Sequence, residues 1–150
     1  MVDTAAQAKE YASKMLGSSL ITKQTGAGGR PCNAVMLAER LPPQKEYYAA
    51  ILLDRARGCP VLVTSSQGGM NIEEVAHDTP EAIITTELDF EHGISREQGI
   101  ALAEKLGFEQ AARENAADVF GKLYKIFKDK DATQIEINPL SEMSDGKVLW

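Results

Sequence analysis

The sequence predicts an α+β fold in which helices cover a largely antiparallel sheet. Three observations support this: apolar strand-like runs dominate residues 46–86, two amphipathic helix patterns follow between 95 and 128, and a strand–turn–strand pattern occupies 132–150. Strands and helices that are grouped along the chain are typical of α+β domains, whereas strict alternation predicts a doubly wound parallel sheet.

The first forty residues predict one helix and two short strands. Small and apolar side chains recur at helical spacing over residues 4–16, and Gly17 can end that helix. Residues 19–23 and 35–37 predict strands, and the glycine-rich stretch 26–29 between them predicts a turn.

The middle of the chain predicts a hairpin, a short helix and a third strand. Residues 46–54 and 60–64 are apolar runs that we expect to pair as antiparallel strands. Asn71 can cap a short helix over 71–76, with acidic residues in its first turn. The β-branched residues within 82–86 predict another strand.

Two helices and a hairpin complete the prediction. Ser95 can cap the first helix, with Gln98 at the capping-box position, and the second spans 111–128. The buried stripe of that second helix is expected to comprise Ala116, Val119, Phe120, Leu123 and Phe127. A strand over 132–137 should end at Pro139, and the Asp145-Gly146 turn should then return the chain. Because the last four residues begin an apolar strand, we expect a fragment of a longer protein.

Composition narrows the possible partners. The chain has 150 residues, 43% hydrophobic and 25% charged, with a net charge of −6, which fits one soluble globular domain. No Lys/Arg cluster is present and no apolar run approaches the roughly 20 residues of a spanning helix, so we expect neither nucleic acid nor membrane as a partner. Cys32 and Cys59 are expected to be unpaired thiols.

The strand near residue 136 is the first candidate site. Side chains alternate between faces along a strand, so Ile135 and Ile137 should point into the core while Glu136 and Asn138 lie on the other face. A carboxylate and an amide oxygen at this spacing can present hard oxygens to Mg²⁺. A solvated strand face is the alternative interpretation of the same pattern.

A glycine-containing loop over residues 65–73 is the second candidate. Its backbone N–H groups precede a helix and could hold an anion, or the segment could be an ordinary loop with Asn71 as the helix cap. The glycines of 26–29 lack the GK[ST] of a phosphate loop, and a flexible turn is expected there.

Four segments together resemble one known family. They are Leu20-Ile21-Thr22-Lys23-Gln24-Thr25-Gly26, Ser65-Ser66-Gln67-Gly68-Gly69-Met70-Asn71-Ile72-Glu73-Glu74-Val75-Ala76, Thr79-Pro80-Glu81-Ala82-Ile83-Ile84 and Ile135-Glu136-Ile137-Asn138-Pro139-Leu140. In order and spacing they look like the β subunit of succinate–CoA ligases, of the ADP-forming mitochondrial type. The resemblance covers nearly the whole chain and implies an ATP-grasp subdomain.

The resemblance implies a nucleotide site. The hinge against which the family holds adenine matches residues 38–41, so Ala38, Glu39 and Leu41 are expected to bind ATP or ADP. Many members have an acid at the position of Ala38, whereas here the acid is Glu39, one residue later. Glu46 matches a family acid at the nucleotide.

The resemblance also implies a metal ligand, a catalytic residue and a partner. Asn138 matches a family Mg²⁺ ligand, and Glu136 matches a glutamate that meets the phosphohistidine loop of the α subunit. The implied reaction is ATP + succinate + CoA ⇌ ADP + phosphate + succinyl-CoA, within the tricarboxylic acid cycle. His77 and His92 do not match the phosphorylated histidine.

The implied domain is incomplete. Residues 1–150 are expected to form one ATP-grasp subdomain truncated at both ends, because the family's second Mg²⁺ ligand, an aspartate, would follow Trp150. The implied location is the mitochondrial matrix, or the cytoplasm for a bacterial parent. Two alternatives stay open: a sister ligase such as malate–CoA ligase or the ATP-citrate lyase group, or a folded interaction module without activity.

Overall fold

A computed structural model describes residues 1–22 and 25–150, which divide into the units Met1–Leu41 and Pro42–Trp150. The helices are α1 (Ala5–Met15), α2 (Ile72–Asp78), α3 (Arg96–Leu106) and α4 (Gln110–Asp129), with a 3-10 turn at Pro80–Ala82. The strands are β1 (Ser19–Leu20), β2 (Arg30–Pro31), β3 (Lys45–Asp54), β4 (Cys59–Ser65), β5 (Ile83–Glu87), β6 (Gln134–Glu142) and β7 (Val148–Leu149). Within the described residues, no helix is both long and apolar enough to cross a membrane.

The first unit contains α1 and a two-stranded antiparallel ladder of β1 and β2. The helix starts as predicted, since the Thr4 side chain accepts a hydrogen bond from the Gln7 N–H. The predicted strand over 35–37 is wrong: β1 pairs with Arg30–Pro31 instead, and a short apolar run without a hydrogen-bonding neighbour does not form a strand. The strand predicted over 19–23 reduces to β1, and Lys23 lies outside the described residues.

The second unit is built on a five-stranded sheet in the order β5-β4-β3-β6-β7. Every neighbouring pair is antiparallel, which confirms the predicted sheet type and the hairpins β3–β4 and β6–β7. The central strand β3 is buried from Tyr47 to Ile51. Because side chains alternate along a strand, β3 is buried on both faces of the sheet.

The helices α3 and α4 cover the core face of this sheet. Ser95 and Gln98 form the predicted capping box, and Gly107 ends α3 in the left-handed conformation. The two helices approach closely because Gly99 lies against Ala117, where even a Cβ on Gly99 would come within 2.9 Å of the Ala117 Cβ. The α4 residues packed against the sheet match the predicted stripe: Ala116, Val119, Phe120 and Leu123 are buried, and Phe127 is partly buried.

A β-bulge in β6 changes which side chains face the core. Tyr47 pairs with Leu140 and Ala49 pairs with Ile137, so Asn138 and Pro139 together stand opposite the single residue Tyr48. The prediction that the strand ends at Pro139 is therefore wrong. A proline cannot donate a hydrogen bond to the ladder, but a bulge accommodates the missing donor and the strand continues to Glu142.

The bulge places a carboxylate in the core. Glu142 is 1% exposed, and it is the one buried acidic side chain among the described residues. Its Oε2 lies 2.7 Å from the Tyr47 hydroxyl and its Oε1 accepts the Glu109 N–H at 2.8 Å. Burial, followed by the hydrogen bond to Glu142, raises the pKa of Tyr47 well above its ordinary value. These bonds join the sheet to the α3–α4 turn.

Glu142→Ala should destabilise the fold by about 3 kcal/mol, because it removes the acceptor of the Glu109 N–H, leaves the Tyr47 hydroxyl only the Gly107 carbonyl as a partner, and opens a cavity. Denaturant unfolding monitored by circular dichroism measures the loss. Glu114→Ala is the matched control, since Glu114 forms an exposed ion pair with Arg96, and should leave stability nearly unchanged. Equal midpoints for the two variants would contradict this assignment.

Candidate functional site

The outer face of the sheet, away from α3 and α4, carries the polar groups. Up to the bulge, β6 alternates as predicted: Glu136 and Asn138 are exposed, while Ile135 and Ile137 pack against the core. Ala50 pairs with Glu136, so Tyr48 lies diagonally across from Glu136 on the same face. This face therefore presents a carboxylate, an amide and a phenol.

Asn138 is held at both ends of its amide by the loop that follows β4. Its Oδ1 accepts the Gly69 N–H at 2.8 Å, and its Nδ2 donates to the Met70 carbonyl at 2.9 Å. The Oδ1 atom has a second lone pair that this hydrogen bond does not use. One oxygen of Asn138 is thus oriented by the protein and still able to accept a ligand.

Glu46 lies on the other side of the same loop. The Gly68 N–H donates to the Glu46 carbonyl at 3.1 Å, and a Cβ on Gly69 would overlap the Glu46 carboxylate. Gly69 has φ +67°, which favours glycine, and a Cβ on Gly68 would overlap the Tyr47 backbone. Gly68 therefore leaves no room for a side chain, and Gly69 is favoured by its backbone conformation. A cleft of about 410 Å³ opens beside Glu46 and Gly68.

Tyr48 and Glu136 are electrostatically coupled. Burial of Tyr48, together with the charge and hydrogen bonding of Glu136 and the charge of Glu73, raises the pKa of Tyr48 to about 12. A phenol with this pKa stays protonated at neutral pH and can only donate to a neighbouring carboxylate. Tyr48 thus supports Glu136 from a buried position on the same face of the sheet.

The candidate residues fall into two groups. Glu46 and Asn138 meet at Gly69, and Glu136 lies two residues before Asn138 on the same strand. The residues expected to match the family's adenine hinge belong to the first unit, where they are exposed in a segment without regular structure: Ala38, Glu39 and Leu41.

Sequence reasoning missed Tyr48, Gly68 and Gly69 as site residues. Tyr48 shares a strand face with Glu46 at a spacing of two, which is the signal that could have identified it. The glycines were recognisable only as part of a loop, because their need for an absent Cβ depends on residues from a different strand.

Three backbone N–H groups of the loop over 65–73 already donate hydrogen bonds within the protein. The Gln67 N–H donates to the Ser65 hydroxyl, while the N–H groups of Gly68 and Gly69 are bonded as described above. Asn71 caps α2 by accepting the Glu73 N–H, as predicted. Of the two interpretations, the ordinary loop with a capped helix agrees with these bonds.

The donor chemistry of the outer face suits a hard cation. The oxygens of Asn138, Glu46 and Glu136 are the type that Mg²⁺ prefers, and none is a soft ligand. In the part of the chain that the structure describes, no three His, Cys, Asp or Glu side chains gather into a ready-made metal site. A metal here would need oxygens from a bound ligand as well.

Comparisons with known proteins agree with this fold. Residues 1–142 match the model of a family described as an ATP-grasp domain. Among solved structures, an ATP citrate lyase from Methanothrix soehngenii in complex with citrate and coenzyme A aligns with a TM-score of 0.64 at 19% identity, over 96% of this chain and 31% of that chain. This likeness concerns the fold alone.

Several curated relatives are considerably more similar. Succinate–CoA ligase [ADP-forming] subunit beta, hydrogenosomal, of Neocallimastix frontalis is 56% identical over 97% of this chain and 33% of the relative. The mitochondrial subunit of Neurospora crassa is 56% identical over 95% of this chain and 32% of the relative. That of Saccharomyces cerevisiae is 46% identical over 95% and 34%.

The chain thus spans about a third of the length of the curated relatives it matches. The family model covers nearly all of the chain, and the five-stranded sheet is antiparallel as the sequence predicted. The alignment with the Neocallimastix frontalis β subunit extends over 97% of this chain. The chain belongs to the ATP-grasp domain family.

Proposed function

We propose that this chain forms part of the nucleotide and Mg²⁺ site in the β subunit of an ADP-forming succinate–CoA ligase. The observation that carries the proposal is the meeting of Glu46 and Asn138 at Gly69, on the polar face of an ATP-grasp sheet. The reaction would be ATP + succinate + CoA ⇌ ADP + phosphate + succinyl-CoA. The names of the relatives support this choice of ligase.

Two sets of residues are proposed as nucleotide contacts. Ala38, Glu39 and Leu41 would meet the adenine, since they are exposed and lack competing secondary structure. Glu46 borders the cleft beside the Gly68 loop and would accept hydrogen bonds from nucleotide hydroxyls through its carboxylate.

The metal would be held through Asn138, with nucleotide phosphates and a carboxylate completing its oxygen ligands. Mg²⁺, when bound, would neutralise phosphate charge as the phosphoryl group moves. The chain's own contribution is orientation, because Gly69 and Met70 fix the Asn138 amide before any ligand arrives.

Glu136 would serve the phosphohistidine of a partner α subunit. Its carboxylate is exposed on the outer face and can accept a hydrogen bond from an imidazole N–H, which holds the ring in one orientation. Tyr48 lies beside Glu136 and stays protonated at neutral pH, so it donates a hydrogen bond to Glu136 and does not take the imidazole proton. We place the assembled enzyme in the mitochondrial matrix, in line with the mitochondrial names of several relatives.

A chimera tests the proposed function directly. These 150 residues would replace the matching third of the Saccharomyces cerevisiae β subunit, expressed with its α subunit. We expect succinyl-CoA formation that requires ATP, CoA, succinate and Mg²⁺. A correctly assembled chimera that forms no phosphohistidine with Mg²⁺·ATP would contradict the proposal.

Asn138→Ala in this chimera should lower kcat/KM for Mg²⁺·ATP by about 10- to 100-fold, since a metal ligand and its orientation are both lost. Asn115→Ala is the matched control. The Asn115 amide also donates to a backbone carbonyl, that of Gly146, but it lies on α4. If the two variants keep the same activity, Asn138 has no role at the metal.

Glu136→Gln should lower the pKa of Tyr48 from about 12 while leaving it above the ordinary value near 10, because burial is the larger cause of the shift. Absorbance of the tyrosinate band during alkaline titration measures this, and Tyr48→Phe identifies the transition. Because the pKa of Tyr48 is higher in the folded protein than in the unfolded chain, protonated Tyr48 stabilises the fold. This stabilisation is complete below pH 10 and is lost as the pH rises towards 12. An unchanged Tyr48 transition in Glu136→Gln would refute the coupling.

A further inference from the structure

The loop Gly68–Met70 is attached to the site residues more tightly than its exposure suggests. It makes three hydrogen bonds to them: Gly68 N–H to the Glu46 carbonyl, Gly69 N–H to Asn138 Oδ1, and Asn138 Nδ2–H to the Met70 carbonyl. Two of these bonds end on one side chain. The loop and the Asn138 amide therefore form a closed two-bond clasp.

The clasp permits one orientation of the Asn138 amide. If the amide turned over, its NH₂ would face the Gly69 N–H and its oxygen would face the Met70 carbonyl, so two attractive contacts would become two repulsive ones. The loop thus fixes the position of Oδ1, the atom of the Asn138 amide that a metal-bound ligand would need.

The two glycines make the clasp possible. Gly68 lies directly on the Tyr47 backbone and Gly69 lies against the Glu46 carboxylate, at a φ of +67°. A side chain at Gly68 would meet the Tyr47 backbone and push the loop away from β3, so the clasp would open, whereas at Gly69 the positive φ is what favours glycine.

We propose that Gly68–Met70 is a positioning element that sets the orientation of the Asn138 amide for a Mg²⁺-bound nucleoside triphosphate. This rests on the proposed function for its ligand, but the clasp itself is a property of the free protein. In this role Gly69 and Met70 act through Asn138, by hydrogen bonds to its amide. This element is not a metal ligand, because it acts by orienting the Asn138 amide. A stronger ligand atom at residue 138 would not restore that orientation.

Asn138→Asp separates these two roles. A carboxylate is a better Mg²⁺ ligand than an amide, but it has no hydrogen to donate to the Met70 carbonyl and repels it. A positioning role predicts that Asn138→Asp in the chimera binds Mg²⁺·ATP about tenfold more weakly than the unsubstituted chimera, as measured by calorimetry. A simple ligand role predicts equal or tighter binding.

Amide hydrogen exchange tests the clasp without any ligand. Asn138→Ala should speed exchange of the Gly69 N–H by about tenfold, because its acceptor is removed. Gly68→Ala should have a similar effect on the Gly69 N–H, because its Cβ would overlap the Tyr47 backbone. Gly28→Ala is the matched control: like Gly68, Gly28 lies outside the left-handed region, but no atom lies within 4 Å of its added Cβ.

The outcomes distinguish the two proposals. Unchanged exchange at the Gly69 N–H in both variants would overturn the clasp, whatever the protein binds. Faster exchange combined with equal or tighter Mg²⁺·ATP binding by Asn138→Asp in the chimera would overturn the positioning role. Faster exchange in the variants, combined with no Mg²⁺·ATP binding by the unsubstituted chimera, would overturn the proposed function and with it the ligand of this element, while the clasp itself would stand.

Discussion

The bulge at Asn138 and Pro139 is the constraint on which both faces of this sheet depend. Without it, Glu136, Asn138, Leu140 and Glu142 would share one face, because side chains alternate strictly along a regular strand. The extra residue moves Leu140 and Glu142 into the core and leaves Glu136 and Asn138 outside. One local irregularity thus separates the packing half of β6 from its chemical half.

The central strand β3 carries the same division in a different way. Tyr47 turns inward to stack on Phe108 at 3.7 Å between ring centroids, whereas Tyr48 turns outward beside Glu136. Gly68 rests on the Tyr47 backbone, so the loop that holds Asn138 is supported by a residue locked in the core. The polar site is therefore positioned by the best-packed part of the fold.

Local patterns predicted most of the fold and only part of the site. The capping box at Ser95, the buried stripe of α4 and the exposed faces of Glu136 and Asn138 follow from spacing within one element. The continuation of β6 through Pro139 could not be predicted, since it depends on the partner strand that tolerates a bulge. The clasp on Asn138 could not be predicted either, because its two hydrogen bonds join residues that are 69 and 68 positions apart in sequence.

The bond between Tyr47 and Glu142 has a consequence for how this family can change over evolution. The two residues are 95 positions apart and both are fully buried, yet they do not satisfy only each other. The Tyr47 hydroxyl also lies 3.0 Å from the Gly107 carbonyl, and Glu142 also accepts the Glu109 N–H. Replacing both with apolar side chains would therefore remove the partners of two backbone groups in the α3–α4 turn. Lineages of the family should keep the tyrosine and the glutamate together, and pairs of aliphatic residues should not replace them.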